Sequence, residues 1–247
     1  MGYKKHTLRL IFRFRSQWRN LPIMTRTEPA NVADGNLLSP LIEAGFRRLN
    51  FLPHIVVGDM GYVDQEVKKQ LRTTRGVAVV TKARSNMAPP PCCEDDGCPC
   101  CHQGQRLIWD RFVDDENSHL YYPPHDGDIC MICPEKTKCE KEFWFSPDLH
   151  ETFFGLIPLH SRLSKKLLQY IRPLVEAGNE IDKHRFNLSN FFINSLELTR
   201  TLSYLADACN ILTLAADARS NHGRRYKKMD RLSRRQLELD FNHPRRR

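Results

Sequence analysis

No apolar run in the 247 residues approaches the ~18 needed to cross a bilayer, so a membrane partner is not expected. A secretion signal is not expected either. The basic, then apolar, opening of the chain is interrupted at Arg9, Arg13 and Arg15 and lacks a small-residue cleavage site, so it reads as a strand. Without secretion, disulfides are not expected. No internal repeat is present. Net charge is nearly missing from residues 1–218: of the chain's +9, the stretch from Arg219 onward supplies +8, with 11 Lys or Arg against 3 Asp or Glu. That tail contains RRYKK at 224–228 and PRRR at 244–247. Two readings of it stand side by side. It is an arm that engages nucleic-acid phosphates, through Arg224, Arg225, Lys227 and Lys228, or it is a solubilising tail.

What the chain does have is cysteine. Eight of its nine cysteines fall between Cys92 and Cys139, which points to a local metal site instead of scattered core packing. The ninth, Cys209, reads as a buried residue on a helical stripe with Leu202, Leu205 and Leu212. Around the cluster, PPPCCEDDGCPCC and YYPPHDGDICMICPEKTKC are too rich in Pro, Gly and Cys for long regular elements. Residues 85–145 therefore read as an insertion.

Before the insertion, strands at 7–15 and 21–29 are expected to form a hairpin over SQWRN. A helix follows, opened by Asp34 and closed by Gly45. Then come the strand HIVV, a helix at 63–73 and a strand at 76–83. This β-β-α-β-α-β order predicts an α/β fold, a mixed sheet with parallel neighbours covered by helices. Lys68, Lys69 and Arg72 read as a solvated helix face, and His160 as a surface or satisfied histidine. After the insertion, residues 146–218 are mostly helical, with a kink or restart at Pro173. The expected organisation is 1–84, 85–145, 146–218 and the tail 219–247.

The stretch HIVVGDMGY, 54–62, carries the first chemical question. An apolar strand runs into Asp59 between two glycines. Asp59 is either a turn residue or a metal carboxylate at the tip of a strand, where α/β sheets place ligands. Farther on, Arg172, Glu176 and Lys183 lie at i, i+4 and i+11, near one helix face. A carboxylate flanked by two cations suits phosphate-backbone chemistry; a salt-bridged solvated face is the plainer reading.

Taken together, these segments resemble an insertion-sequence transposase of the DDE type. GYKKH at 2–6 resembles the family's G-x-K-x-H stretch. LPIMTRTEPANVADGNLLSPLI resembles its Leu-Pro, Pro-Ala-Asn and spaced-leucine segment, and VVGDMGY the strand of its second catalytic aspartate. Arg172, Glu176 and Lys183 match the R-x3-E-x6-K signature, with Tyr170 one residue closer to the arginine than usual. The resemblance covers most of residues 2–218. It implies an RNase H-like fold, Mg²⁺ held by Asp59 and Glu176 (or Glu180, one turn on, if Pro173 shifts the helix phase), and hydrolysis and strand transfer at DNA phosphodiesters. It further implies DNA contacts through Lys4, Arg172 and Lys183, homo-oligomers, and a cytoplasmic, nucleoid-associated location. It also implies structural Zn²⁺ in the insertion, held by Cys101, Cys130, Cys133 and Cys139, or by Cys98 and Cys101 with Cys130 and Cys133.

The family's first catalytic aspartate precedes the GYKKH segment, and Met1 stands directly before Gly2 here. The expectation is thus a shortened transposase whose sheet lacks its first strand and which is catalytically silent by itself. The competing classes are a non-enzymatic zinc-containing DNA-binding protein and a zinc-stabilised interaction module without a nucleic-acid role.

Overall fold

The structure is a computed structural model, and it describes residues 2–14, 16–124, 133–134, 139–185 (backbone only from 181) and 195–219. The chain divides into two compact units, Glu28–Pro173 with Met1–Gly2, and Tyr3–Thr27 with Leu174–Arg247.

The first unit begins with α1 (Gly35–Leu49). Its apolar residues recur at helical spacing, and Leu38 and Ile42 turn inward against Val56, Leu71 and Val77. Each such side chain contributes roughly 1.5–3 kcal/mol on burial. The helix runs past Gly45 and ends only where Asn50 takes a left-handed conformation, φ 49°. Gly45 is a buried packing residue on this helix and not its stop.

β3 (Ile55–Val57) and β4 (Ala78–Val80) pair in parallel, Val56 opposite Val79. They are joined by α2 (Gln65–Arg75), a right-sized crossover helix. Asp64 caps α2, its carboxylate accepting the Val67 N–H at 3.1 Å, and Gly76 closes it at φ 63°.

The cysteine-bearing segment is more regular than its composition suggests. β5 (Ile108–Val113), β6 (Ser118–Tyr122) and β7 (Phe143–Phe145) form an antiparallel sheet in the order β5-β6-β7. Its inner face joins α3 (Glu151–Phe154) around a second core of Leu107, Tyr121, Phe143, Phe153 and Phe154. His119 is fixed here, Nδ1 accepting the Trp109 indole N–H (3.1 Å) and Nε2 donating to the Phe154 and Gly155 carbonyls. α4 (Arg162–Lys166) leads into a π-helical turn, Leu167–Ile171. The irregularity expected at Pro173 thus falls in the turn just before it.

The second unit contains the hairpin of β1 (Tyr3–Phe14) and β2 (Gln17–Pro29), and the helices α5 (Arg172–Arg185), from Leu174, and α6 (Leu196–Arg219). The hairpin turns at the first residue of SQWRN, Ser16 (φ 65°), and the rest of that segment already belongs to β2. α6 meets the hairpin with a polar face. Asp207 pairs with Lys5 (2.7 Å) and accepts the Thr25 hydroxyl (2.5 Å), and Thr27 bonds Ser203 at 3.2 Å. The stripe expected to be buried is outside: Leu212 is 68% exposed, and Leu205 and Cys209 are exposed too. Ser203, Ala206, Asp207 and Asn210 are buried in its place, because the hairpin offers hydroxyls and an ammonium to bond.

Among the described residues the strands form three sheets, β1-β2, β3-β4 and β5-β6-β7, and not the single mixed sheet the sequence predicts. The parallel pair with its covering helices is present. The hairpin lies in the other unit, bonded to α6.

Candidate functional site

The strand-tip aspartate sits at the C-terminal end of the parallel pair. The Gly58 N–H donates to the Val80 carbonyl (2.9 Å), which carries the ladder one residue past β3. A Cβ on Gly58 would lie 3.3 Å from the Thr81 methyl, so only glycine passes here without strain on its neighbour. Asp59 then leaves the sheet. Its Oδ1 accepts the Met60 N–H at 2.7 Å and caps a 3₁₀ turn, Met60–Tyr62.

Gly61 makes room of another kind. A Cβ there would fall 2.5 Å from Asp34 Oδ2, so the Asp34 carboxylate rests against the backbone of this turn. Asp34 stands at the N-cap of α1 but gives that helix no side-chain bond. Tyr62 ends the same turn and feels both carboxylates. Burial first, then the charges of Asp34 and Asp59, push its phenol well above the ordinary range. Sequence reasoning missed Asp34 as a neighbour of this site, because a cap reading explained it locally.

Arg172 completes the group. Its Nη2 lies 3.2 Å from Asp59 Oδ1, and the Asp59 side chain is 62% exposed against 23% for Arg172. A guanidinium and a carboxylate that remains open to solvent thus meet at the end of two parallel strands, 113 residues apart in sequence. The pair can bind a cation through Asp59 or an anion through Arg172. Among the described residues, no three His, Cys, Asp or Glu side chains are arranged to hold one ion.

Beneath this edge the helix α2 is not a solvated face. Lys68 is 2% exposed, and its Nζ donates to the Thr81 hydroxyl at 2.6 Å. Burial lowers its pKa to about 8, partly countered by Glu151. Arg72 is buried as well, clasping both Glu151 oxygens (3.0 and 3.2 Å), Asn117 (2.9 Å) and Asp148 (2.8 Å). Only Lys69 keeps a half-exposed position, 3.2 Å from Asp148. The solvated reading fails because Thr81 and the later residues Asn117, Asp148 and buried Glu151 supply partners that the local pattern does not reveal. His160 is also buried, against Tyr121 and Phe154, and among the described residues neither ring nitrogen is hydrogen-bonded. It is therefore not a surface histidine.

Other sequence candidates are placed unevenly. Lys4 is exposed on β1. Glu176 and Lys183 lie on α5 in the second unit, Lys183 with backbone only. Arg224, Arg225, Lys227 and Lys228 lie outside the described residues. So does Cys130, while Cys101 and Cys133 are half-buried and Cys139 is exposed.

Upstream cysteines are better defined. Cys93 faces Pro99 and Cys100 faces Arg106 in antiparallel bridges, so residues 92–107 fold as two short consecutive hairpins that share a middle arm. Gly97 (φ 80°) and Gly104 (φ 72°) make the turns. Cys98 is 3% exposed, and burial pushes its thiol up to about 11.

Against known families, residues 16–141 match the one described as Transposase DDE domain, just over half of the chain. No curated protein and no solved structure matches.

Proposed function

The chain belongs to the transposase DDE domain family, and from that premise we propose that it acts on DNA phosphodiesters through the carboxylate of Asp59. The observation that carries the reading is the 3.2 Å contact between Asp59 and Arg172. It joins the strand-tip aspartate, inside the matched segment, to the first residue of the Arg172–Glu176–Lys183 spacing, beyond it.

A divalent metal fits the Asp59 position. Mg²⁺ at phosphoryl-transfer sites takes one or two carboxylates and keeps its remaining positions for water and phosphate oxygens. Asp59 is exposed, at the strand ends where such ligands bind. When bound there, Mg²⁺ would activate the attacking oxygen and stabilise the leaving one. Glu176 enters as a further carboxylate through its spacing alone. Arg172 holds Asp59 oriented and offers the phosphate backbone a planar donor. Lys4, Lys183 and the basic residues at 224–228 extend that contact to DNA. An RNase H-like arrangement, structural zinc on Cys101, Cys130, Cys133 and Cys139, self-association and a nucleoid location belong to the same proposal.

The test is metal-dependent strand cleavage of duplex DNA by the chain and by Asp59→Asn. The reading expects the substitution to lower cleavage at least about 100-fold, as loss of a group acting on the transition state does, with low-salt DNA affinity kept. Salt-sensitive binding without any metal-dependent cleavage would overturn this reading, and is the outcome expected of a silent transposase or of the non-enzymatic DNA-binding class.

A further inference from the structure

The helix α6 turns a polar face to the hairpin and leaves its apolar face outside. Leu198, Leu205 and Leu212 are 48%, 56% and 68% exposed, and Tyr204 and Ile211 are exposed beside them. Thr201, Ala208 and Ala215, exposed as well, fall between the leucines. The series Leu198, Thr201, Leu205, Ala208, Leu212, Ala215 steps alternately by three and four residues, so all six lie along one line of the helix. At 1.5 Å per residue the line is about 27 Å long, and on a helix about 10 Å wide it makes a patch of roughly a few hundred Å². Exposed apolar patches of that size mark interaction sites.

Charge narrows what can cover this face. Between Thr201 and Ala216 the one charged residue is Asp207, and its side chain is turned away, buried against Lys5 and Thr25. A nucleic-acid backbone meets no cation here, and a charged peptide meets no counter-charge. The occupant must itself be apolar and uncharged over the same length. Residues 220–247, with ten Lys or Arg, do not answer that description. The face itself does, so a second copy is its complement.

Side-chain volume then fixes the direction. In a parallel pair equivalent residues meet, so leucine layers would alternate with hollow alanine layers. In an antiparallel pair with its two-fold axis between Ala206 and Asp207, Leu198 meets Ala215, Thr201 meets Leu212 and Leu205 meets Ala208, each twice. All six layers then hold one leucine and one small residue.

We propose that α6 pairs with α6 of a second copy in this antiparallel register, giving a symmetric dimer. The pair would bury on the order of 1,000 Å² in total, the size at which specific interfaces begin, so the association is expected to be reversible. This assigns a surface to the self-association proposed above, but it rests on α6 alone.

The test is sedimentation equilibrium of the nuclease-treated full chain over a range of concentrations, in reducing, high-salt buffer without divalent metal. The parent should pass from monomer to dimer. Leu205→Glu/Leu212→Glu, at two exposed positions, should keep the parent's helical content by circular dichroism. It should weaken dimerisation at least about 100-fold, because each glutamate would be buried without a partner. For direction, Leu198→Cys/Ala215→Cys in a Cys209→Ser background is oxidised and its disulfides are mapped. They should join position 198 of one copy to position 215 of the other. A parent that stays monomeric at every concentration, equal dimerisation of the parent and the glutamate variant, or links between identical positions would each overturn the proposal. With metal and DNA left out, none of these results bears on cleavage, so the Asp59 reading stands or falls separately.

Discussion

Lys68 shows how far a residue's burial can depart from its local pattern. Its ammonium is enclosed under Thr81, and its pKa is lowered to about 8 by burial. The unfolded chain keeps this proton up to about pH 10.5, whereas the folded chain gives it up near pH 8. Between those values the unfolded state binds more protons, so stability rises with pH. Lys68→Met should therefore be more stable than the parent at neutral pH by about 1–3 kcal/mol. The advantage should shrink from pH 8 to pH 10.5, as chemical denaturation at a series of pH values would show. An advantage that is constant with pH would mean that the ammonium is not desolvated. A lysine beside Lys69 on a helix reads as solvated in any sequence. Its partners lie beyond the helix, the Thr81 hydroxyl at the end of β4 and the charge of Glu151. Asp59 was legible for the opposite reason. A strand ending in an aspartate between glycines is a local signal, whereas its partner Arg172 is a long-range one.

At the scale of elements, Arg72 connects α2, the β5–β6 turn at Asn117, and α3. Its pair with Glu151 is buried at both ends, each side chain 5% exposed. Burial holds the Glu151 pKa above its ordinary value, and Arg72 opposes this. Removing the cation leaves a carboxylate with no compensation in the core. Arg72→Met should cost about 3–5 kcal/mol in thermal or denaturant unfolding, and adding Glu151→Gln should restore part of it. Additive losses in the double variant would show that the two residues do not act as a pair.

The order of elements up to β4 could be read from hydrophobic period and turn residues, because each depends on neighbours in sequence. The helix α6 could not. Its leucine stripe predicts one face, but Asp207 finds Lys5 and Thr25, and a bonded polar face is the one that packs. The β5-β6-β7 sheet was hidden by composition, since its short strands stand among Pro, Gly and Cys that suppress any periodic signal.

For the whole molecule, the uneven charge gives a direct prediction. Residues 220–247 hold ten of the 38 Lys and Arg. If the tail meets DNA, its deletion should flatten the dependence of log affinity on log salt by several contacts' worth, in proportion to the phosphates it neutralises. An unchanged slope would make it a solubilising segment. Family membership places the chain's action on DNA, and the proposed chemistry centres on Asp59, which meets Arg172 in the first unit. The most direct measurement is a Mn²⁺ titration of the chain and of Asp59→Asn by electron paramagnetic resonance, which counts free ion without requiring turnover. A site built on Asp59 predicts Mn²⁺ binding that weakens at least about tenfold in the variant, a loss near 1.4 kcal/mol. Identical binding curves for the two proteins would contradict it.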